Sequence, residues 1–117
     1  MIFDDLQEVK MLERDLERKL KKRIELECRG AMCLKFVSPG CIGVPDRVIL
    51  LPQGKAVFVE MKKPKGLPSA RQKYIHEILK GLNFPVFSSV DSDAYVDAVI
   101  RYCKYLCDIK SGDDYGV

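Results

Sequence analysis

The stretch from Gly43 to Lys62, GVPDRVILLPQGKAVFVEMK, decides the fold. It holds two β-type runs, residues 47–51 and 56–61, rich in Val, Ile, Leu and Phe and joined by Pro52-Gln53-Gly54-Lys55. A three-residue loop over Pro52, Gln53 and Gly54 fits a type I turn, with Pro leading and Gly in the left-handed position. Such a loop sets Leu51 opposite Lys55, and counting back along the hairpin sets Asp46 opposite Glu60. Directly opposed residues share a sheet face and lie about 5 Å apart. Lys62 falls on the same face as Glu60, and Met61 points away. The hairpin thus gathers two carboxylates and an ammonium at one end. A loop of two or four residues would slip the register by one and separate them, so the turn carries the expectation.

Two carboxylates at that distance repel unless something positive lies between them. Two readings follow from spacing alone: charges decorating a solvated strand end, or a divalent metal site. Oxygen ligands from two carboxylates and water suit Mg²⁺ or Mn²⁺, and a lysine beside them orients or deprotonates an attacking water.

Upstream of the hairpin, residues 4–27 read as one long helix, because Leu6, Val9, Leu12, Leu16, Leu20 and Ile24 recur at spacings of three and four. On a helical wheel Glu13 falls roughly 30° from the centre of that stripe and Glu17 about 70°, with Asp15 well outside. Glu13 is therefore the acid most nearly directed at the core, where it is costly unless paired with a base or a metal; Glu17 is the reserve. The opposite face carries Arg14, Arg18, Lys19, Lys21, Lys22 and Arg23, which read mainly as a solvated face with pairs such as Glu17–Lys21. Arg29-Gly30 ends the helix, residues 31–37 alternate as a first strand, and SPGCIGV at 38–44 is a loop leading directly to Asp46.

Beyond Lys62 comes a basic loop, Lys63-Pro64-Lys65-Gly66-Leu67-Pro68, kept out of regular structure by its prolines. Ser69 then reads as a helix N-cap, with Gln72 three residues on completing a capping box. Gln72 has a second role open to it, since its amide can hydrogen-bond Glu60, a water or a phosphate. His76, one turn further, reads as a helix-surface residue. Residues 85–90 form a fourth strand, Asp91 or Ser92 caps a last helix, and 95–107 are amphipathic. The order is α-β-β-β-α-β-α. Residues 1–109 read as a single domain, with a disordered tail over 110–117.

The chain has 117 residues and a net charge of +3, a mild bias that permits nucleic acid without demanding it. No apolar run approaches membrane-spanning length and the N-terminus lacks a signal peptide's pattern, so no membrane partner and a cytoplasmic location are expected. The five cysteines are odd in number and form no CxxC, which favours reduced, structural thiols.

Pro45-Asp46, a hydrophobic hairpin and Glu60-Met61-Lys62 resemble the PD-(D/E)xK nuclease pattern. More closely, GVPDRVILLP, VFVEMKKPKG and the downstream Gln72 resemble the VRR-NUC domain in its short, stand-alone phage and bacterial form, over roughly residues 10 to 100. The resemblance implies an α/β restriction-endonuclease-like core, a mixed sheet flanked by helices. It implies a catalytic set of Glu13, Asp46, Glu60, Lys62 and Gln72, with Glu13-Arg14-Asp15-Leu16 matching the family's helix-borne E-x-x-[I/L]. Glu13, Asp46, Glu60 and the Met61 carbonyl would hold Mg²⁺ or Mn²⁺. Lys63, Lys65, Arg71 and Lys73 lie on the same edge and would contact DNA phosphates. The stand-alone members imply a homodimer acting on branched DNA, as a Holliday-junction resolvase does. A nuclease for flaps, single strands or plain duplex is the alternative within the same chemistry, and a catalytically silent nucleic-acid-binding module the alternative outside it.

Overall fold

The computed structural model describes the backbone of residues 2–62 and 67–109, and side chains from residue 13 onward within those spans. Lys63, Lys65 and the tail 110–117 lie outside the described residues, as do the side chains of Leu6, Val9 and Leu12. Three helices and four strands follow in order: α1 (Ile2–Glu27), β1 (Met32–Lys35), β2 (Arg47–Leu51), a single 3₁₀ turn at Pro52–Gly54, β3 (Lys55–Met61), α2 (Ala70–Gly81), β4 (Val86–Val90) and α3 (Asp93–Asp108). The sheet order is β1-β2-β3-β4. The first three strands form an antiparallel meander, and β4 lies parallel to β3. A parallel neighbour needs a crossover, which α2 supplies. The result is the mixed α/β architecture expected from the sequence.

The hairpin register is the one the turn length implies: Leu51 opposes Lys55 and Arg47 opposes Val59, so the next step places Asp46 against Glu60. The turn type differs from expectation. Gly54 is left-handed at φ +75, but Gln53 is too, at φ +68 and ψ 30, where a type I turn needs a right-handed residue. Loop length alone set the register, and two left-handed residues suit the right-handed twist of the strands they join. Lys55, just past the turn, donates its ammonium to the carbonyls of Leu106 and Ile109 (2.9 Å each) at the end of α3.

One face of the sheet carries the main core. Cys33, Ile49, Val57, Val59 and Met61 pack with Leu16, Leu20 and Ile24 of α1 and with Val96, Val99, Ile100 and Cys103 of α3. Charge pairs staple the two helices above it: Lys19 to Asp93 at 2.8 Å, Arg23 to Asp97, and Lys104 to Glu27 at 3.5 Å. The basic face of α1 is therefore less solvated than its sequence suggests. Nor does Lys21 pair with Glu17; it pairs with Glu25, one turn the other way, because Glu17 is taken by Arg47 of β2. All five cysteines are free. Burial pushes the thiols of Cys28 and Cys33 up to about 11 and that of Cys103 up to about 12, as inert core residues require.

The other face is only half covered. His76 and Ile75 of α2 are buried there, and Phe58 stacks between Phe36 and Phe84. The β1–β2 half leaves Met32, Leu34 and Leu50 exposed, so in β1 it is Cys33 that faces the core. Among the described residues, no helix is long and apolar enough to cross a membrane.

Candidate active site

The site forms where the hairpin's open end meets the first turns of α2. Asp46 precedes β2, and its Oδ2 accepts from the backbone N–H of Met61 at 3.0 Å, which fixes the carboxylate beside β3. The loop feeding Asp46 is clamped to α2. Gly43 has φ +100, and a Cβ there would lie 2.9 Å from both Cγ and the carbonyl oxygen of Arg71. Only glycine meets both conditions. Arg71 donates Nε to the carbonyl of Ile42 (3.0 Å), and its guanidinium sits 5.2 Å from the centre of the Tyr74 ring.

The same helical turn presents Gln72. Ser69 Oγ accepts from the Gln72 backbone N–H (3.1 Å), and Gln72 Oε1 accepts from the Ser69 N–H (2.8 Å), completing the capping box. Gln72 Nε2 is left to donate to Glu60 Oε1 at 3.1 Å. The two roles open to Gln72 in the sequence are thus filled at once, one by each end of its amide.

Glu60 is the unusual group. It is 1% exposed, and Oε2 has no hydrogen-bond partner. Burial first, then the neighbouring Asp46 side chain, push its carboxyl up to about 9; Lys62 opposes this and Glu13 adds to it. A carboxyl so raised keeps its proton at neutral pH unless a cation lies beside it. A bare, buried carboxyl oxygen beside a second carboxylate is a donor set suited to a small hard cation. Among the described residues, no group of three His, Cys, Asp or Glu side chains is drawn together closely enough to hold a metal by side chains alone.

The remaining predicted residues surround this pair. A cleft of about 290 Å³ is lined by Glu13, Glu17, Lys35, Phe36, Val37 and Asp46. Glu17 is committed to Arg47, whose Nε and second guanidinium nitrogen reach its Oε1 at 2.9 and 2.8 Å. Glu13 has no ion pair among the described residues and remains available to the cleft. Lys62 is half-buried, with its backbone N–H on the Val90 carbonyl at 3.0 Å. Arg71 and Lys73 are exposed on the first turn of α2.

Two residues of the site were not legible beforehand. Lys35 lines the cleft. His76 is not a surface residue but 2% exposed, next to Glu60, and burial lowers its pKa, which favours the neutral imidazole. Its placement follows from β4. Val59 pairs with Phe87 and Met61 with Val90, leaving Ser88 and Ser89 opposite the single residue Glu60. Ser89 is left-handed at φ +57. This is a β-bulge, a feature common beside active sites. Ser88, next to the core-facing Phe87, points toward α2, where its Oγ lies 2.8 Å from His76 Nδ1, and the extra residue returns Val90 to the core. The one sequence signal was Ser88-Ser89 inside an apolar strand.

No family model matches the chain. A phage protein described as "Putative nuclease p44", from Acyrthosiphon pisum secondary endosymbiont phage 1, is 40% identical over 87 residues, which span 71% of this chain and 94% of that protein. A solved structure described as a VRR_NUC domain superposes with a TM-score of 0.68 at 31% identity, covering 77% of this chain and 95% of its own. With the PD-(D/E)xK hairpin in register and Gln72 hydrogen-bonded to its glutamate, these similarities make the chain a member of the VRR-NUC family of nucleases.

Proposed function

We propose that this nuclease hydrolyses DNA phosphodiester bonds with Mg²⁺ or Mn²⁺ held by Asp46, Glu60, the Met61 carbonyl and Glu13. The observation that carries the reading is the Glu60 carboxyl, buried beside Asp46 with one oxygen bare. A cation held by these residues would supply positive charge at the phosphate oxygens. The chain's own groups do the rest. Asp46 is held in place by the Met61 N–H, and Gln72 holds one oxygen of Glu60. Lys62, on the face of Glu60, orients the attacking water and takes part in its deprotonation. Lys35 at the cleft, together with Lys63, Lys65, Arg71 and Lys73, draws the phosphate backbone toward the site.

Branched DNA is the proposed target, cut as by a Holliday-junction resolvase. Each chain has one such site, and two symmetric nicks across a four-way junction call for a two-fold homodimer. On α3, Tyr102 packs edge-on against Phe87 and Tyr105 is exposed. Met32, Leu34 and Leu50 form the more continuous exposed apolar face.

Cleavage assays with Mg²⁺ or Mn²⁺ on four-way, flap, single-stranded and duplex DNA test the proposal. Paired nicks in the junction, lost in excess chelator, are the expected result. Activity that survives chelation removes the metal. A strict monomer in sedimentation, free and junction-bound, moves the target to flaps or single strands.

A further inference from the structure

His76 is the second half of an unusual buried pair. Its Nε2 lies 3.9 Å from Glu60 Oε1 and has no hydrogen-bond partner, just as Glu60 Oε2 has none. A buried polar atom is normally satisfied, so two such atoms on adjacent side chains call for a reason. The site reaches this arrangement by spending two local features on it. His76 stands one helical turn beyond Gln72, so the two side chains lie on one face of α2. Ser88 follows Phe87, which packs on the core side, so strand alternation turns its hydroxyl to the α2 face, 2.8 Å from the imidazole.

We propose that Ser88 and His76 form a positioning relay for Glu60, in which the Ser88 hydroxyl donates to Nδ1 and thereby keeps the imidazole proton on Nε2, facing Glu60 Oε1. His76 is a positioning residue here, acting through Glu60 and touching no reacting atom. The direction follows from what Nε2 faces. A carboxylate oxygen is an acceptor with room for two donors, and Gln72 Nε2 supplies one. A nitrogen aimed at the same oxygen is favourable only as the second donor. The neutral ring carries a single proton, so the partner of Nδ1 decides which nitrogen has it. The 3.9 Å gap is longer than a hydrogen bond, and a small rotation of either side chain closes it. With Oε1 held by both Gln72 and His76, Oε2 is left presented toward Asp46 as the binding oxygen. The relay rests on the metal-dependent reading above, as an outer support that orients a ligand.

The chain has one histidine, so its ring nitrogens can be read without assignment ambiguity. In the metal-free protein, ¹H–¹⁵N correlation of the ring should show the Nε2–H tautomer; an Nδ1–H tautomer overturns the relay. Calorimetric titration with Mn²⁺ alone then compares wild type with His76→Leu, His76→Gln and Ser88→Ala. Loss of the donor should weaken Mn²⁺ binding about tenfold or more in His76→Leu and Ser88→Ala. His76→Gln, which restores an N–H, should recover most of it. Cleavage at saturating Mn²⁺ should change far less than the Mn²⁺ concentration needed for half-saturation. Folded His76→Leu with wild-type Mn²⁺ affinity makes the residue a packing group and overturns the relay. Where that variant does not fold, Ser88→Ala, which removes one oxygen, decides: unchanged affinity overturns it. Failure of wild type to bind Mn²⁺ refutes the metal reading instead, and the tautomer still decides the relay's orientation.

Discussion

Two regions of this small protein are equally buried and differently built. Between the sheet and the α1–α3 pair, Ile49, Val57, Val59, Val99, Ile100 and Cys103 are fully or almost fully buried with no polar atom to satisfy. On the opposite face, Glu60 and His76 are as inaccessible as these, yet each leaves a polar atom without a partner. The first region is what stability alone selects, since apolar burial stabilises by roughly 25 cal/mol per Å². The second is a standing cost, because burial of a carboxyl without full hydrogen bonding destabilises the fold. The contrast is the one the proposed site calls for: local suboptimality in a fold is expected where chemistry is performed.

The largest effect should separate the two regions outright. Asp46→Asn and Glu60→Gln should each lower cleavage by about 10³-fold or more, a loss of several kcal/mol of transition-state stabilisation, while the protein stays folded. Ile100→Val in the core should do the converse, costing about 1 kcal/mol of stability and leaving cleavage per folded molecule unchanged. Denaturant unfolding and single-turnover cleavage on the same preparations read both quantities. Full activity in Asp46→Asn would remove it as a ligand and dissolve the distinction.

A second difference is in pH dependence. The folded protein holds the Glu60 proton far above the usual carboxylate range. The unfolded chain releases that proton near pH 4.3. Between that value and the raised folded one, the native state binds more protons than the unfolded state, so its stability must fall as pH rises. Glu60→Gln cannot titrate. In excess chelator it should therefore be more stable than wild type at pH 8, by at least about 1 kcal/mol, and the advantage should vanish near pH 4. Saturating Mn²⁺ should stabilise wild type and leave the variant unmoved. Parallel stability profiles of the two proteins in chelator would show that Glu60 ionises normally.

How much of this was visible in the sequence divides along the same line. The core half was legible, because its signals are periodic: Leu16, Leu20 and Ile24 at helical spacing, and Ile49, Leu51, Val57 and Val59 at strand spacing. The Asp46–Glu60 juxtaposition was legible too, because a loop length fixes a register and a register fixes who faces whom. Gln72 could be placed by its capping box. What could not be read was geometry set by irregularity. The bulge at Ser88-Ser89 shifts strand parity without a periodic trace, and His76 finds its buried partner in Ser88 across the sheet face that α2 covers. Gln53 adopts a left-handed conformation that its residue type does not announce. Nor does the helical wheel show that Arg47 captures Glu17 from across a long stretch of sequence.

Two glycines sharpen the comparison at intermediate cost. Gly54 and Gly43 are both left-handed, but a Cβ at Gly54 meets open space while one at Gly43 meets Arg71. Gly54→Val at the core end of the hairpin should cost about 1 kcal/mol or somewhat more from backbone strain alone. Activity at a temperature where the variant is folded should be retained. Gly43→Ala has strain and a clash at the loop that delivers Asp46, so it should lower activity as well as stability. Equal activity losses in the two would mean that the Gly43 contact with α2 does not position the site.

The smallest effect concerns charge at the rim of the site. Lys73 is exposed on the first turn of α2, one residue from the Gln72 that touches Glu60, and no ion pair with a described residue engages it. A lysine so placed reaches a phosphate without reading a base, so its loss should weaken binding alike on every sequence. Each phosphate contact releases a condensed counterion from the DNA, and the salt dependence records the number. Lys73→Ala should therefore reduce the slope of log K against log salt by about 0.9 on duplex arms, with kcat at saturating DNA unchanged. The basic residues on α1 offer the control. Lys19 and Arg23 are held by Asp93 and Asp97 of α3, over the core, and Lys19→Ala should leave the slope where it is. Binding titrations between 50 and 200 mM salt are wide enough to resolve one contact. A slope that falls with Lys19→Ala and not with Lys73→Ala would put the DNA along α1, on the core side of the sheet, and away from the face that carries Glu60.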